Sequence, residues 1–146
     1  MSTVIAYPAS RFEVTPSIEL GDATSRARVS TASVGAMARL ATTWGLTVEQ
    51  MGTLLGGVAP STWYSWVKNP PKDLGVDRLT RVSYLLGIDT ALHVLYPRSP
   101  LADEWVKRPN SNVLFGGRRP LDMLLHGGIN GMDRVRSLLD ARRGGV

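Results

Sequence analysis

The 146-residue sequence contains no cysteine, which excludes disulfides, thiolate metal sites and cysteine nucleophiles and agrees with a cytoplasmic setting. Histidine is nearly absent too. His93 and His126 are the two present, and they stand too far apart in sequence to form a metal-ligand spacing. Neither GxGxxG, a Walker-type phosphate loop nor GxSxG occurs. The neighbouring carboxylates Asp103 and Glu104 point to different sides of a helix and do not converge as a catalytic pair. No stretch approaches the roughly 18–20 apolar residues that cross a bilayer. No charged segment followed by an apolar run marks a secretory leader either. These absences point away from an enzyme, a resident cofactor, a metal site and a membrane protein, and toward a cytoplasmic binding protein.

What is present is a basic chain of one domain's length, with 17 Lys and Arg against 12 Asp and Glu and an isoelectric point near 10.1. Such a balance favours polyanions or an acidic partner. The excess is uneven. Residues 97–146 hold nine basic and five acidic side chains, whereas residues 1–32 are neutral and residues 33–96 carry a single excess positive charge.

The hydrophobic pattern predicts an all-α fold. Residues 1–31, scattered with Pro8, Pro16 and Gly21, read as a flexible arm with a short strand conceivable at Arg11–Val14. From Ala32, Met37, Leu40, Ala41 and Trp44 recur at helical spacing until Gly45. Thr47 and Gln50 form a capping-box pattern that opens a second helix, which Gly56 and Gly57 end. Pro60 opens a third helix that runs to Lys68, before Pro70 and Pro71. A fourth helix ending at Gly87, a fifth stopped by Pro97 and a short one at Leu101–Lys107 are expected next. The chain closes with helices at Pro120–His126 and Gly131–Arg142, the last capped by Asn130.

Two short helices joined by a glycine-containing turn form the unit that presents its second helix to the DNA major groove. Residues 46–68, LTVEQMGTLLGGVAPSTWYSWVK, resemble the helix-turn-helix of the Xre/Cro-like repressors through Leu46, Thr47, Gln50, Leu54, Leu55, Gly56, Val58, Ser61, Thr62 and Trp66. On the third helix, Trp63, Trp66 and Val67 are spaced to face the core. That leaves Ser61, Thr62, Tyr64, Ser65 and Lys68 outward for DNA, supported by Lys72, Arg78 and Arg81. The helix has no Arg, Gln or Asn, the usual bidentate readers of guanine and adenine. A helix-turn-helix kept for dimerisation is the competing reading.

The last fifty residues carry a more specific resemblance. Trp105, Pro109–Asn110, Leu114–Gly117, Pro120–Leu125, Val135, Leu138–Leu139 and Gly144–Val146 are similar to the toxin-binding domain of the Xre/MbcA/ParS antitoxins. The resemblance implies a Cro/Xre-like helix-turn-helix bundle over residues 32–97, for DNA binding and dimerisation, followed by a small helical toxin-binding domain over residues 98–146. It implies an antitoxin of a type II toxin–antitoxin system that binds a cognate RES-domain toxin, an NAD-degrading enzyme, and represses its own operon through operator DNA. NAD is then the toxin's substrate, and this chain needs no cofactor. The toxin contacts expected are Trp105, Pro109, Asn110, Arg118, Arg119, Met132, Val135, Leu138, Leu139, Arg142, Arg143, Gly144, Gly145 and Val146. The alternative is a stand-alone Xre-type transcriptional regulator. A homodimer is expected, because operators are symmetric and the apolar side chains of Ala32–Trp44 and Thr80–Tyr96 exceed what one small bundle needs.

Overall fold

The computed structural model describes residues 21–98 and 100–144. Among these the chain is all-helical: α1 (Ala23–Trp44), α2 (Val48–Leu54), α3 (Pro60–Lys68), α4 (Val76–Leu95), α5 (Leu101–Glu104) running into a 3₁₀ turn (Trp105–Lys107), and α6 (Pro120–Arg143). The expected strand at Arg11–Val14, most of the expected arm, and Gly145 and Val146 lie outside the described residues.

Helix α1 begins nine residues before the sequence pattern announces it, so residues 23–31 are no flexible arm. Asp22 caps it, its carboxylate accepting from the Ser25 hydroxyl and from the Thr24 and Ser25 amides; the hydroxyl bond first, and then the amides, hold its pKa below the ordinary carboxylate value. The periodicity was hidden because the inward position of this turn is a serine. Ser30 is fully buried, donates from Oγ to the Arg26 carbonyl at 2.6 Å and accepts from the Leu74 amide at 3.0 Å. A buried hydroxyl with both roles filled substitutes for an apolar residue at little cost.

The short helices follow their caps as expected. Gly45 ends α1 in the left-handed region (φ 63°), and both halves of the Thr47–Gln50 capping box form. The fourth and fifth helices, expected to part at Gly87, are instead one helix. Gly87 does not end it and lies under the Arg136 side chain of α6, whose guanidinium would have to move aside to admit a Cβ, its Nη1 standing 1.7 Å from that position. The two closing helices do form, merged end to end with a break at Gly128 (φ 59°, ψ −153°), so Asn130 is already helical and is not the cap. Gly131 lets the two arms meet, since a Cβ there would stand 2.6 Å from the Met123 carbonyl oxygen.

Helix α4 is the spine, with α1 packed on it from one side and α6 from the other. One contiguous core runs from Val34, Met37 and Trp44 through Leu85, Ile88 and Leu92 to Leu121, Leu124, Met132 and Leu139. Most of the apolar side chains of α1 and α4 expected to supply a dimer contact are buried inside the chain, those of α4 largely against α6 and those of α1 against α4, α3 and α5. Polar bonds cross the same seam. The Tyr84 hydroxyl donates to Asp133 at 3.1 Å, burial and that bond together raising its pKa, and Lys107 Nζ donates to the Gly45 carbonyl at 3.2 Å.

Candidate functional site

Helix α3 is fixed from beneath by Trp63, which is buried, and Trp66, which is half-buried. Gly52 sets its approach to α2, because a Cβ there would lie 2.0 Å from the Val58 carbonyl oxygen. The outer face consists of Ser61, Thr62, Tyr64, Ser65 and Lys68, all exposed. Ala59 at the N-cap supplies no side-chain acceptor for the first-turn amides. Val67 corrects the sequence reading: it is 50% exposed and joins Tyr64, 59% exposed, on the surface. The helix holds no acidic residue, and Lys68 stands in its last turn.

The two arginines expected beside α3 are both engaged with the protein. The Arg78 guanidinium lies over the Trp66 ring, 5.5 Å from its centroid, a cation–π contact that steadies the back of the helix. Arg81 Nε bonds Asp77 Oδ2 at 2.9 Å and packs against Gly56 in the α2–α3 turn. A phosphate contact by Arg81 therefore requires exchange of its carboxylate, whereas Lys68, in the last turn of α3, and Lys72, four residues on, are exposed.

In the carboxy-terminal region four expected contacts prove to be core. Trp105 is buried and meets Phe115 edge-to-face (centroids 5.7 Å apart, planes at 81°), while Met132, Val135 and Leu139 are fully buried against the rest of the bundle. None of the four is available to a partner without unfolding. Leu138 is half-buried. Of the arginines, Arg118 and Arg134 are exposed, but Arg119 pairs with Asp122 (2.8 Å), and Arg136 and Arg143 both reach Asp140 (3.1 and 3.7 Å). The hydrogen bond from Arg119 is the main cause that holds the Asp122 carboxyl below its ordinary pKa, and Arg119 is itself raised. Arg142 is half-buried and Gly144 exposed.

The loop between the 3₁₀ turn and α6 is tied by its asparagines. Asn110 accepts from the Asn112 amide and Asn112 from the Leu114 amide, both at 2.9 Å, and the Asn110 and Arg118 backbones bond at 3.0 Å. This closed loop, with Pro109 exposed at its base, lifts Val113 to 94% exposure. It also walls a surface cleft of about 530 Å³ lined by Val113, Leu114, Phe115, Arg118, Arg119, Met123 and His126. The cleft was missed in the sequence, where Val113 stands in a loop with no helical apolar period around it.

A second grouping was missed as well. His93 sits between Asp89, one turn earlier on α4, and Asp103 on α5. Its Nδ1 faces the Asp89 carbonyl at 2.9 Å, and its Nε2 faces Asp103 Oδ1 at 3.1 Å. The three side chains offer ligand-type atoms within 4.8 Å of one another. Both ring nitrogens meet acceptors, so the geometry suits imidazolium. The Asp89 carbonyl bond first, and then the two carboxylates, raise the His93 pKa, while burial raises that of Asp89. The spacing Asp89–His93 was the available signal; the approach of Asp103 was not legible.

With this geometry in view, residues 22–87 match the model of the antitoxin Xre-like helix-turn-helix domain, and residues 91–145 match that of the antitoxin Xre/MbcA/ParS C-terminal toxin-binding domain. A curated relative, the uncharacterized protein y4oB of Sinorhizobium fredii, is 38% identical over 114 residues, covering 78% of this chain and 86% of its own length. This chain belongs to the Xre/MbcA/ParS antitoxin family. No solved structure matches it significantly. The antitoxin's two matched modules abut between Gly87 and Ala91, within α4, so that one helix serves both. Both modules belong to non-enzymatic families, whose roles are DNA binding and toxin binding. No helix among the described residues is long and apolar enough to cross a membrane.

Proposed function

We propose that this antitoxin neutralises a RES-domain, NAD-degrading toxin in the cytoplasm and represses the shared operon as a homodimer on operator DNA. The observation that carries the reading is the toxin-binding match over residues 91–145, in a chain whose α3 is presented outward and free of acidic side chains. The exposed partner surface is the closed loop with Val113 and Arg118 and the outer side of α6 with Arg134 and Leu138. The buried leucines behind it hold its shape. An enzyme that consumes NAD needs a basic pocket for a pyrophosphate. The end of α6 docks beside its opening, and the small residues that follow it, Gly144, Gly145 and Val146, enter it.

The test is a chain ended after Gly144. A cut after Ala141 would also remove Arg143, whose guanidinium is bonded to Asp140, and so disturb the helix end. The shortened antitoxin, co-expressed with the RES-type product of the adjacent reading frame, is expected to remain in the complex while NAD consumption and toxicity return. Full protection by the shortened chain would show that the tail is not the inhibitory element. Failure of the full-length chain to bind any such toxin would leave a stand-alone regulator.

A further inference from the structure

The exposed face of α3 combines two features that together define what it can recognise. It lacks Arg, Asn, Gln, Asp and Glu, so Lys68, in the last turn, is its one side chain with the chemistry of a bidentate base contact. Yet it exposes two large apolar groups one turn apart, Tyr64 (59%) and Val67 (50%), where the second helix of a helix-turn-helix lies against DNA. Against guanine or cytosine the apolar surfaces of Tyr64 and Val67 would cover donors and acceptors without bonding them. The major groove offers one apolar group, the C5-methyl of thymine. Hydroxyls at Ser61, Thr62 and Ser65 around the pair suit the neighbouring base edges or phosphates, and Lys68 and Lys72 beside it give the positive rim that a phosphate backbone requires.

We infer that Tyr64 and Val67 are specificity-determining residues that read thymine methyls, so that the operator carries thymines where α3 crosses the groove. This rests on the DNA-binding reading above and adds the base chemistry to it. The same apolar pair could be covered by a second copy of the chain, but a face rimmed by lysines with no acid among them is self-repelling.

The experiment starts from a duplex selected by the full-length protein from a randomised library. Its thymines are then replaced, one at a time, by uracil, which removes only the methyl. At the positions facing α3 each replacement is expected to weaken binding roughly fourfold, the value of one buried methyl-sized group. Val67→Ala and Tyr64→Ala are expected to bind the thymine duplex more weakly and to lose the distinction between thymine and uracil. Each stays folded and bound to toxin, because both side chains are on the surface. Equal affinity of the wild-type chain for thymine and uracil duplexes, with DNA binding intact, overturns the methyl reading alone. No enrichment of any duplex, and no salt-dependent binding, overturns the DNA reading beneath it. If Val67→Ala turns a dimer into a monomer while thymine and uracil stay equivalent, the face belongs to a second copy and the inference fails.

Discussion

In the helix-turn-helix half the residues that carry the family resemblance are divided between core and surface. Leu54, Leu55 and Val58 are buried, while Ser61 and Thr62 face outward. In the toxin-binding half the large apolar residues of the signature are mostly inside: Trp105, Phe115, Leu121, Leu124, Val135 and Leu139 are buried, whereas Leu114, Leu125 and Leu138 are partly so. The difference teaches that the second signature marks how the domain folds and says little about where a partner touches it. On the function proposed above, partner contact there falls to exposed side chains that the resemblance hardly weighs, such as Val113 and Arg134. The two halves nonetheless share α4, so a signature that is structural in one half also holds up the other.

The strongest way to break this comparison is to damage the toxin-binding core and look at the other half. Leu139→Ala deletes a fully buried side chain, which costs about 2–5 kcal/mol, a large share of the stability of a domain this size. One core predicts one thermal transition, moved down as a whole, with DNA binding and toxin binding lost at the same temperature. A variant that melts in two steps, its DNA binding outlasting its toxin binding, would mean that the halves are independent.

How much of this was legible varies with the kind of residue. The caps at Thr47–Gln50 and Gly45 could be read because a local hydrogen bond or a left-handed turn is decided by neighbours in sequence. The start of α1 could not, because its inward residue Ser30 is polar and its partner Leu74 is 44 residues away. Gly87 was misread for the same reason: it lies under the Arg136 side chain of α6 and does not end its own helix. In the site, the outward positions of α3 followed from helical spacing, but Val67 fell on the wrong side, since a nine-residue helix touches its neighbours along a narrower stripe than the pattern suggests. Burial of Met132, Val135 and Leu139 was foreseeable from their spacing; that this bars them from a partner follows only once α6 is seen on α4.

A milder perturbation sharpens the functional half of the comparison. Lys68→Ala combined with Lys72→Ala removes two exposed cations beside α3 and leaves the Arg81–Asp77 pair in place. The slope of log affinity against log salt is expected to fall by about 2, uniformly across DNA sequences, while toxin binding is unchanged. An unchanged slope would move the DNA surface away from α3. Arg81→Ala alone is expected to change the slope by less than either lysine, because its charge is already matched by Asp77.

The smallest effect lies at the joint between the halves, where His93 on α4 meets Asp103 on α5. The folded state raises the His93 pKa above its ordinary 6.5, so the fold holds a proton that the unfolded chain releases earlier. The resulting stabilisation is complete below pH 6.5 and fades as pH rises through the higher folded value. His93→Gln keeps a hydrogen-bonding side chain but cannot carry the charge. Its melting temperature is therefore expected to fall below that of the parent chain near pH 6 and to converge with it above pH 8. With His93 half exposed to solvent, screening limits the difference to under about 1 kcal/mol, in the range of surface ion pairs, and it shrinks further in high salt. A gap that stays constant from pH 6 to pH 9 would assign the contact to packing and remove the imidazolium from the joint.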